Sequence, residues 1–225
     1  IVQLFNLSAA AVEHNEKALQ RDGKVKNVDY RTILIRQNDH AGYYPGATPI
    51  FIKLIFSMDG GKIYGAQLLG RKGVDKRVDV IATAMQFNAS AIDLKNLELA
   101  YAPPFSSAKD PVNMLGFVAE NVVTGKVAFC EWDIVETHDP ARTVILDIRE
   151  DWERQRAPIP SAVAIPLGKL RSRIGELDPA KETIVFCAAG VRANTGARIL
   201  SQHGFADVKI YPGGQTWYAL THPRE

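Results

Sequence analysis

The chain has 225 residues, 46% of them hydrophobic and 23% charged, with a formal net charge of +2. That is room for one large or two small globular domains, and too little charge to argue for nucleic acid or a membrane surface as a partner. No apolar run approaches the roughly 20 residues of a membrane span. The opening, Ile1-Val2-Gln3-Leu4-Phe5, lacks the basic start of a signal peptide. Cys130 and Cys187 make no disulfide framework, so a reducing cytoplasm is the expected setting. An apolar, strand-like start without methionine reads as the back end of a longer protein.

Residues 8–20 suggest a helix, with Ala11, Val12, Ala18 and Leu19 on one side. Residues 28–35 read as a strand. Over residues 50–57, Ile50, Ile52, Leu54 and Phe56 share one face of a strand. Asp59-Gly60-Gly61 supplies a tight turn, and residues 63–69 return, which predicts an antiparallel hairpin. Residues 72–87 form an amphipathic helix pattern through Val74, Val78, Ile81, Ala82 and Met85. Asp110-Pro111 opens a further helix as N-cap and first position, with Gly125 after its end. This first part, residues 1–123, is therefore an α+β domain.

Residues 124–142 connect the parts, with turn chemistry at Thr137-His138-Asp139-Pro140 and His138 expected at the surface. Cys130 reads as a small buried hydrophobe. The second domain, within residues 124–222, carries short apolar runs at 143–147, 162–165, 183–187 and 208–211. Helical segments at 151–156, 167–177 and 192–203 lie between them. Strands without alternation, separated by helices, indicate an α/β domain with a parallel sheet covered on both faces. The functional crevice of such a sheet lies at the carboxyl ends of its strands, where Asp147 and Cys187 fall. Gly204 suits a left-handed helix end, with Phe205 packing back on Leu200.

Cys187-Ala188-Ala189-Gly190-Val191-Arg192 follows one of these strands and precedes a helix. Small residues let backbone N–H groups turn towards one point, and the helix adds its positive end; both favour a thiolate. Asp147-Ile148-Arg149 brings both signs of charge to the same crevice. Arg149 is equally readable as a residue that fixes the neighbouring loop or as a surface arginine.

Cys-x-x-Gly-x-Arg, with the upstream Asp-x-Arg and a downstream Gly213-Gly214-x-x-Trp217 segment, resembles the rhodanese family. The resemblance implies a sulfurtransferase in which Cys187 takes sulfane sulfur as a persulfide. The amides of Ala188, Ala189, Gly190, Val191 and Arg192 would stabilise it, Arg192 would close the loop and add positive charge, and Asp147 would hold the loop by accepting hydrogen bonds. Four residues separate Cys187 from Arg192, fewer than in cysteine-dependent phosphatases, which matches a cradle for sulfur and not for phosphate. Ala157-Pro158-Ile159-Pro160-Ser161-Ala162 departs from the Gly-His-Ile-Pro-Gly-Ala that many rhodaneses carry, which leaves the outer pocket atypical.

Four segments of the first domain stand in order: His40 to Ala47, Gly65 to Gly70, Gly73 to Arg77, and Tyr101 to Pro111. They resemble the C-terminal dimerisation domain of pyridine nucleotide-disulfide oxidoreductases, nearest to the coenzyme A disulfide reductase branch. That branch includes fusions to a C-terminal rhodanese domain, also described as NADH-dependent persulfide or polysulfide reductases. The resemblance implies a homodimer through residues 1–123, with Tyr43 and Tyr101 reaching the partner's disulfide site. Tyrosines in such loops also serve simply as interface anchors.

FAD, NAD(P)H and coenzyme A are thereby implied for the full-length enzyme, with none held by this chain alone and no metal. Gly70-Arg71-Lys72-Gly73 is not expected to replace the missing dinucleotide turn. Expected substrates are small sulfur compounds: polysulfide, thiosulfate, or coenzyme A persulfide or disulfide. The other reading is a binding module, a dimeric rhodanese-like persulfide sensor without reductase activity.

Overall fold

The computed structural model describes residues 1–223. It divides into two units, Ile1–Thr124 and the residues from Gly125 onward.

The first unit is built on a five-stranded antiparallel sheet: β1 (Val2–Leu4), β2 (Leu7–Glu13), β3 (Tyr30–Asn38), β4 (Pro49–Ser57) and β5 (Ile63–Gly70), in the order β1-β2-β5-β4-β3. Its helices are α1 (Glu16–Arg21), α2 (Val74–Gln86) and α3 (Pro111–Val123). The expected helix over residues 8–20 is thus strand up to Glu13 and helix from Glu16. Ala9 to Val12 can satisfy either period, and pairing with β5 decides it, Ala10 opposite Leu68 and Val12 opposite Ala66. Gly65 permits the pairing, because a Cβ there would lie 2.2 Å from the His14 carbonyl oxygen. Asn15 then caps α1 by accepting from the Ala18 amide.

The β4–β5 hairpin forms as its sequence predicts, with Gly60 at φ +76° and Asp59 accepting from the Gly61 amide in the turn. β4 is buried on both faces, not one. Beyond Ile50, Ile52, Leu54 and Phe56, Ile55 is also fully buried, because Leu19 of α1 and Tyr30 cover it. Asp110 caps α3 with a reciprocal bond to Asn113, and Pro111 takes the first position.

The second unit carries four parallel strands: β6 (Thr143–Asp147), β7 (Val163–Ala164), β8 (Glu182–Phe186) and β9 (Val208–Ile210), in the order β7-β6-β8-β9. Around them run α4 (Ile134–Thr137), α5 (Asp151–Arg156), α6 (Leu170–Arg173), α7 (Val191–Gln202) and α8 (Gly214–Thr221). The helix expected over residues 167–177 is one α turn flanked by 3-10 turns, since Pro166, Gly168 and Gly175 weaken a continuous helix. α8 was not expected from its sequence, which opens on two glycines.

Cys130, Val135, Ile145, Ile159, Ile184, Phe186 and Tyr211 form the core, with Phe186 stacked on Tyr211. Burial pushes the Cys130 thiol well above its ordinary value, so it stays protonated. α7 ends as its sequence suggests. Gly204 has φ +89°, and the Phe205 and Gly204 amides return to the Leu200 and Ser201 carbonyls. α7 approaches the sheet closely at Gly196, where a Cβ would meet the Ile148 and Val185 side chains.

Candidate active site

Asp147 ends β6 and Cys187 follows β8. The two strands are adjacent and parallel, and Asp147 stands opposite Phe186, so both groups reach the carboxyl edge together. Cys187 is buried, with 1% of its surface exposed. Its Sγ accepts a hydrogen bond from the Gly190 amide at 3.0 Å. Gly190 holds φ +111°, a conformation open to glycine, and directly precedes α7.

The carbonyls of the same loop point elsewhere. Cys187 O accepts from the Gln215 amide at 2.9 Å, and Ala188 O accepts from the Thr216 amide at 3.1 Å and from Thr216 Oγ1 at 2.8 Å. The first turn of α8 thus takes up two of the loop's carbonyls, while the Gly190 amide donates to the sulfur. Gly214 makes this possible: it has φ +61°, and a Cβ there would sit 2.6 Å from Cys187 O. Gly213 and Gly214 therefore belong to the cradle through its backbone. Ala188, Ala189 and Gly190 are half-buried and Val191 is exposed, so the loop's free surface is small and apolar.

Two carboxylate–arginine pairs surround this loop. Arg149 is 2% exposed and therefore no surface arginine. Its Nε and Nη2 donate to Asp147 at 2.9 Å and 2.6 Å, and Nη2 also reaches Ala157 O at 2.8 Å. Asp147 additionally accepts from the Arg149 amide. It consequently holds the β6–α5 turn and, through Arg149, the far end of α5. The loop-holding bonds expected of it go to this turn instead of to the Cys187 loop, because Arg149 is only two residues away and saturates its oxygens. Arg192 donates from Nη1 and Nη2 to the two oxygens of Glu153, both at 2.6 Å. Its guanidinium thus goes to α5, and its charge is paired.

Glu153 is a residue that the sequence reading missed; the signal was present as Glu150-x-x-Glu153, a capping-box spacing at the start of α5. Ser161 stands where the rhodanese pattern has its second glycine, and it retains a left-handed φ of +57°.

In the first unit, Arg77 and Asp110 form a buried pair at 2.8 Å. Arg77 also donates to Asp39 O at 2.6 Å and to Gly73 O at 3.2 Å, and Ser106 Oγ donates to Asp110 at 2.6 Å. Burial pushes the Asp110 carboxyl up, and donors from Arg77, Ser106 and Val112 outweigh it, leaving the carboxyl below its ordinary value. The loop after β3 and the loop before α3 are further joined by Ala41 N–H to Ser106 O. Tyr43 and Tyr101, 58 residues apart, meet on these loops with their hydroxyls 2.9 Å apart. The hydrogen bond with Tyr43 raises the Tyr101 phenol above its ordinary value. Tyr43 is 77% exposed.

Residues 1–111 match the pyridine nucleotide-disulphide oxidoreductase dimerisation domain, and residues 133–220 match the rhodanese-like domain. The chain is a disulfide-oxidoreductase dimerisation domain followed by a rhodanese-like domain. Both are similar to parts of larger proteins. The structure of reduced Bacillus anthracis CoADR-RHD aligns with 98% of this chain at a TM-score of 0.90 and 45% identity, covering 39% of that protein. The NAD-dependent persulfide reductase of A. fulgidus aligns with 96% at a TM-score of 0.84 and 36% identity, covering 38% of its chain. Coenzyme A disulfide reductase of Staphylococcus epidermidis is 39% identical over 120 residues, 53% of this chain. The chain spans about a quarter of the length of that curated relative, 26%.

Gly70-Arg71-Lys72-Gly73 joins β5 to α2, and β5 lies in an antiparallel sheet. A Cβ at Gly70 would meet the Ile50 and Val74 side chains, so the glycine serves packing. Among the described residues no cluster of three or more His, Cys, Asp or Glu side chains could hold a metal ion, and no helix is long and apolar enough to cross a membrane.

Proposed function

We propose that Cys187 carries sulfane sulfur as a persulfide, and that the chain serves as the C-terminal part of a flavin-dependent disulfide or persulfide reductase. The observation that carries this reading is the Gly190 N–H donated to Cys187 Sγ, in a loop whose Cys187 and Ala188 carbonyls are taken by α8. Such a cradle offers a backbone donor to a sulfur anion and engages the Cys187 and Ala188 carbonyls elsewhere. The Cys187 thiolate attacks the outer sulfur of a persulfide or polysulfide. A new S–S bond forms at Cys187, the donor's S–S bond breaks, and the donor leaves as a thiolate. The same amides then hold the terminal persulfide anion until an acceptor thiolate removes the outer sulfur and restores Cys187.

The first domain is proposed to pair with a second copy. Tyr43 and Tyr101 share one hydrogen bond, which leaves the second phenolic hydrogen for a thiolate leaving group at the partner's surface. Coenzyme A disulfide, coenzyme A persulfide, polysulfide and thiosulfate are the proposed substrate class. FAD and NAD(P)H chemistry belongs to parts of the whole protein outside these residues, and the four-residue loop between Cys187 and Arg192 disfavours phosphate esters.

The test is sulfur transfer from polysulfide or thiosulfate to cyanide. Native chain should turn over and Cys187→Ser should lose the activity while keeping its melting temperature. Unchanged turnover in Cys187→Ser sinks the assignment; a stable sulfur adduct without transfer to any acceptor would indicate the sensor reading instead.

A further inference from the structure

The sulfur cradle has one charged side chain, Arg192, and that charge is spent on Glu153. The bond is bidentate, both N–O distances being 2.6 Å, and Glu153 is itself fixed by the Glu150 amide at 3.1 Å. The other loop side chains, Ala188, Ala189 and Val191, carry no charge. We infer that Glu153 is a positioning residue that ties Arg192 down and cancels its charge, so that the cradle does not draw anionic reactants to Cys187 by a free guanidinium. The inference rests on Cys187 being the reacting sulfur, and it goes beyond that by assigning the site's discrimination by charge.

The surrounding charges support the arrangement. From the β6–α5 segment, Asp147 and Arg149 neutralise each other in a buried pair. Glu150 and Glu153 come from the start of α5, and Arg192 from α7. Arg192 is raised above its ordinary value chiefly by its bond to Glu153, with Cys187 and Glu150 adding to it, so the guanidinium stands within Coulombic reach of the sulfur. Glu153 is lowered, first by its bond from Arg192. The pair is therefore ionised at neutral pH. Removing either partner exposes the charge of the other beside the reacting atom.

Two alkylating agents of different charge read this directly, without any sulfurtransferase activity. The thiolate displaces iodide from neutral iodoacetamide or from anionic iodoacetate. Both reagents meet the same thiolate fraction, so their rate ratio at Cys187 cancels the thiol pKa and reports the local charge. Labelling is located by peptide mass spectrometry. Glu153→Gln should raise the iodoacetate-to-iodoacetamide ratio by about fivefold, the effect of one unit charge close to the sulfur in a partly hydrated site. Adding Arg192→Gln to that variant should abolish the rise. Arg192→Gln alone should lower the ratio, since it leaves Glu153 unpaired, and it keeps the test available if Glu153→Gln does not fold. An unchanged ratio in a folded Glu153→Gln variant, a rise that survives Arg192→Gln, or an unchanged ratio in Arg192→Gln overturns the inference. Loss of sulfur transfer with the expected ratios would instead count against the persulfide reading alone.

Discussion

Arg77 and Asp110 meet across 33 residues of chain, whereas Asp147 and Arg149 are two residues apart. Both pairs are almost fully buried, and in both the guanidinium also donates to a backbone carbonyl. Their work differs. Arg77 gathers the Asp39 and Gly73 carbonyls and the Asp110 cap, so it fixes the loops that bring Tyr43 to Tyr101. Asp147 and Arg149 stiffen one local turn and reach only to Ala157 O. A long-range pair assembles a site from separate segments; a local pair shapes one turn beside a site that the Cys187 loop and α8 make.

The largest expected effect tests this contrast. Asp110→Ala strands the buried Arg77 guanidinium and should cost about 3–5 kcal/mol of stability in urea denaturation. It should also separate the tyrosines. A loss below about 1 kcal/mol would break the contrast, since it would mean that the loops are held by other contacts. The same carboxylate gives a pH dependence of known sign. Its folded pKa is depressed, so its contribution is present above the unfolded value of ~3.9 and is lost as pH falls through the folded value. The urea midpoint of the native chain should therefore fall more between about pH 6 and about pH 3 than that of Asp110→Asn.

Within the sulfur cradle, two glycines should separate by the space around them. Gly214→Ala places a Cβ against the Cys187 carbonyl and must shift the loop, so sulfur transfer should drop by about tenfold or more. Gly190→Ala meets nothing within 4 Å and carries only the strain of its positive φ, about 1–2 kcal/mol. Equal effects at the two positions would show that α8 does not hold the loop. The smallest effect lies at the exposed tyrosines. Tyr43→Phe should leave the melting temperature unchanged and lower the Tyr101 pKa towards its ordinary value, as read by ultraviolet titration.

These differences also explain what could be read in the sequence. The Cys187 loop is continuous, and its small residues, strand and helix are neighbours in the chain, so its chemistry was legible. The Schellman end at Gly204 and the capped start of α3 were legible for the same reason. Residues 8–13 were not, because alanines and a valine fit either period and only pairing with β5 fixes them as strand. Arg149 was undecided because its burial depends on Ala157 and the packing around the turn. The Arg192–Glu153 pair spans 39 residues and α8 closes the cradle from beyond β9, so the local signals at Glu150-x-x-Glu153 and Gly213-Gly214 did not reveal their partners.

The most direct measurement is mass spectrometry of the chain after treatment with polysulfide and removal of excess reagent. Peptide mapping should place one added sulfur on Cys187 and none on Cys130, whose thiol is buried and held protonated. Sulfur on Cys130, or no gain at Cys187, would contradict the account.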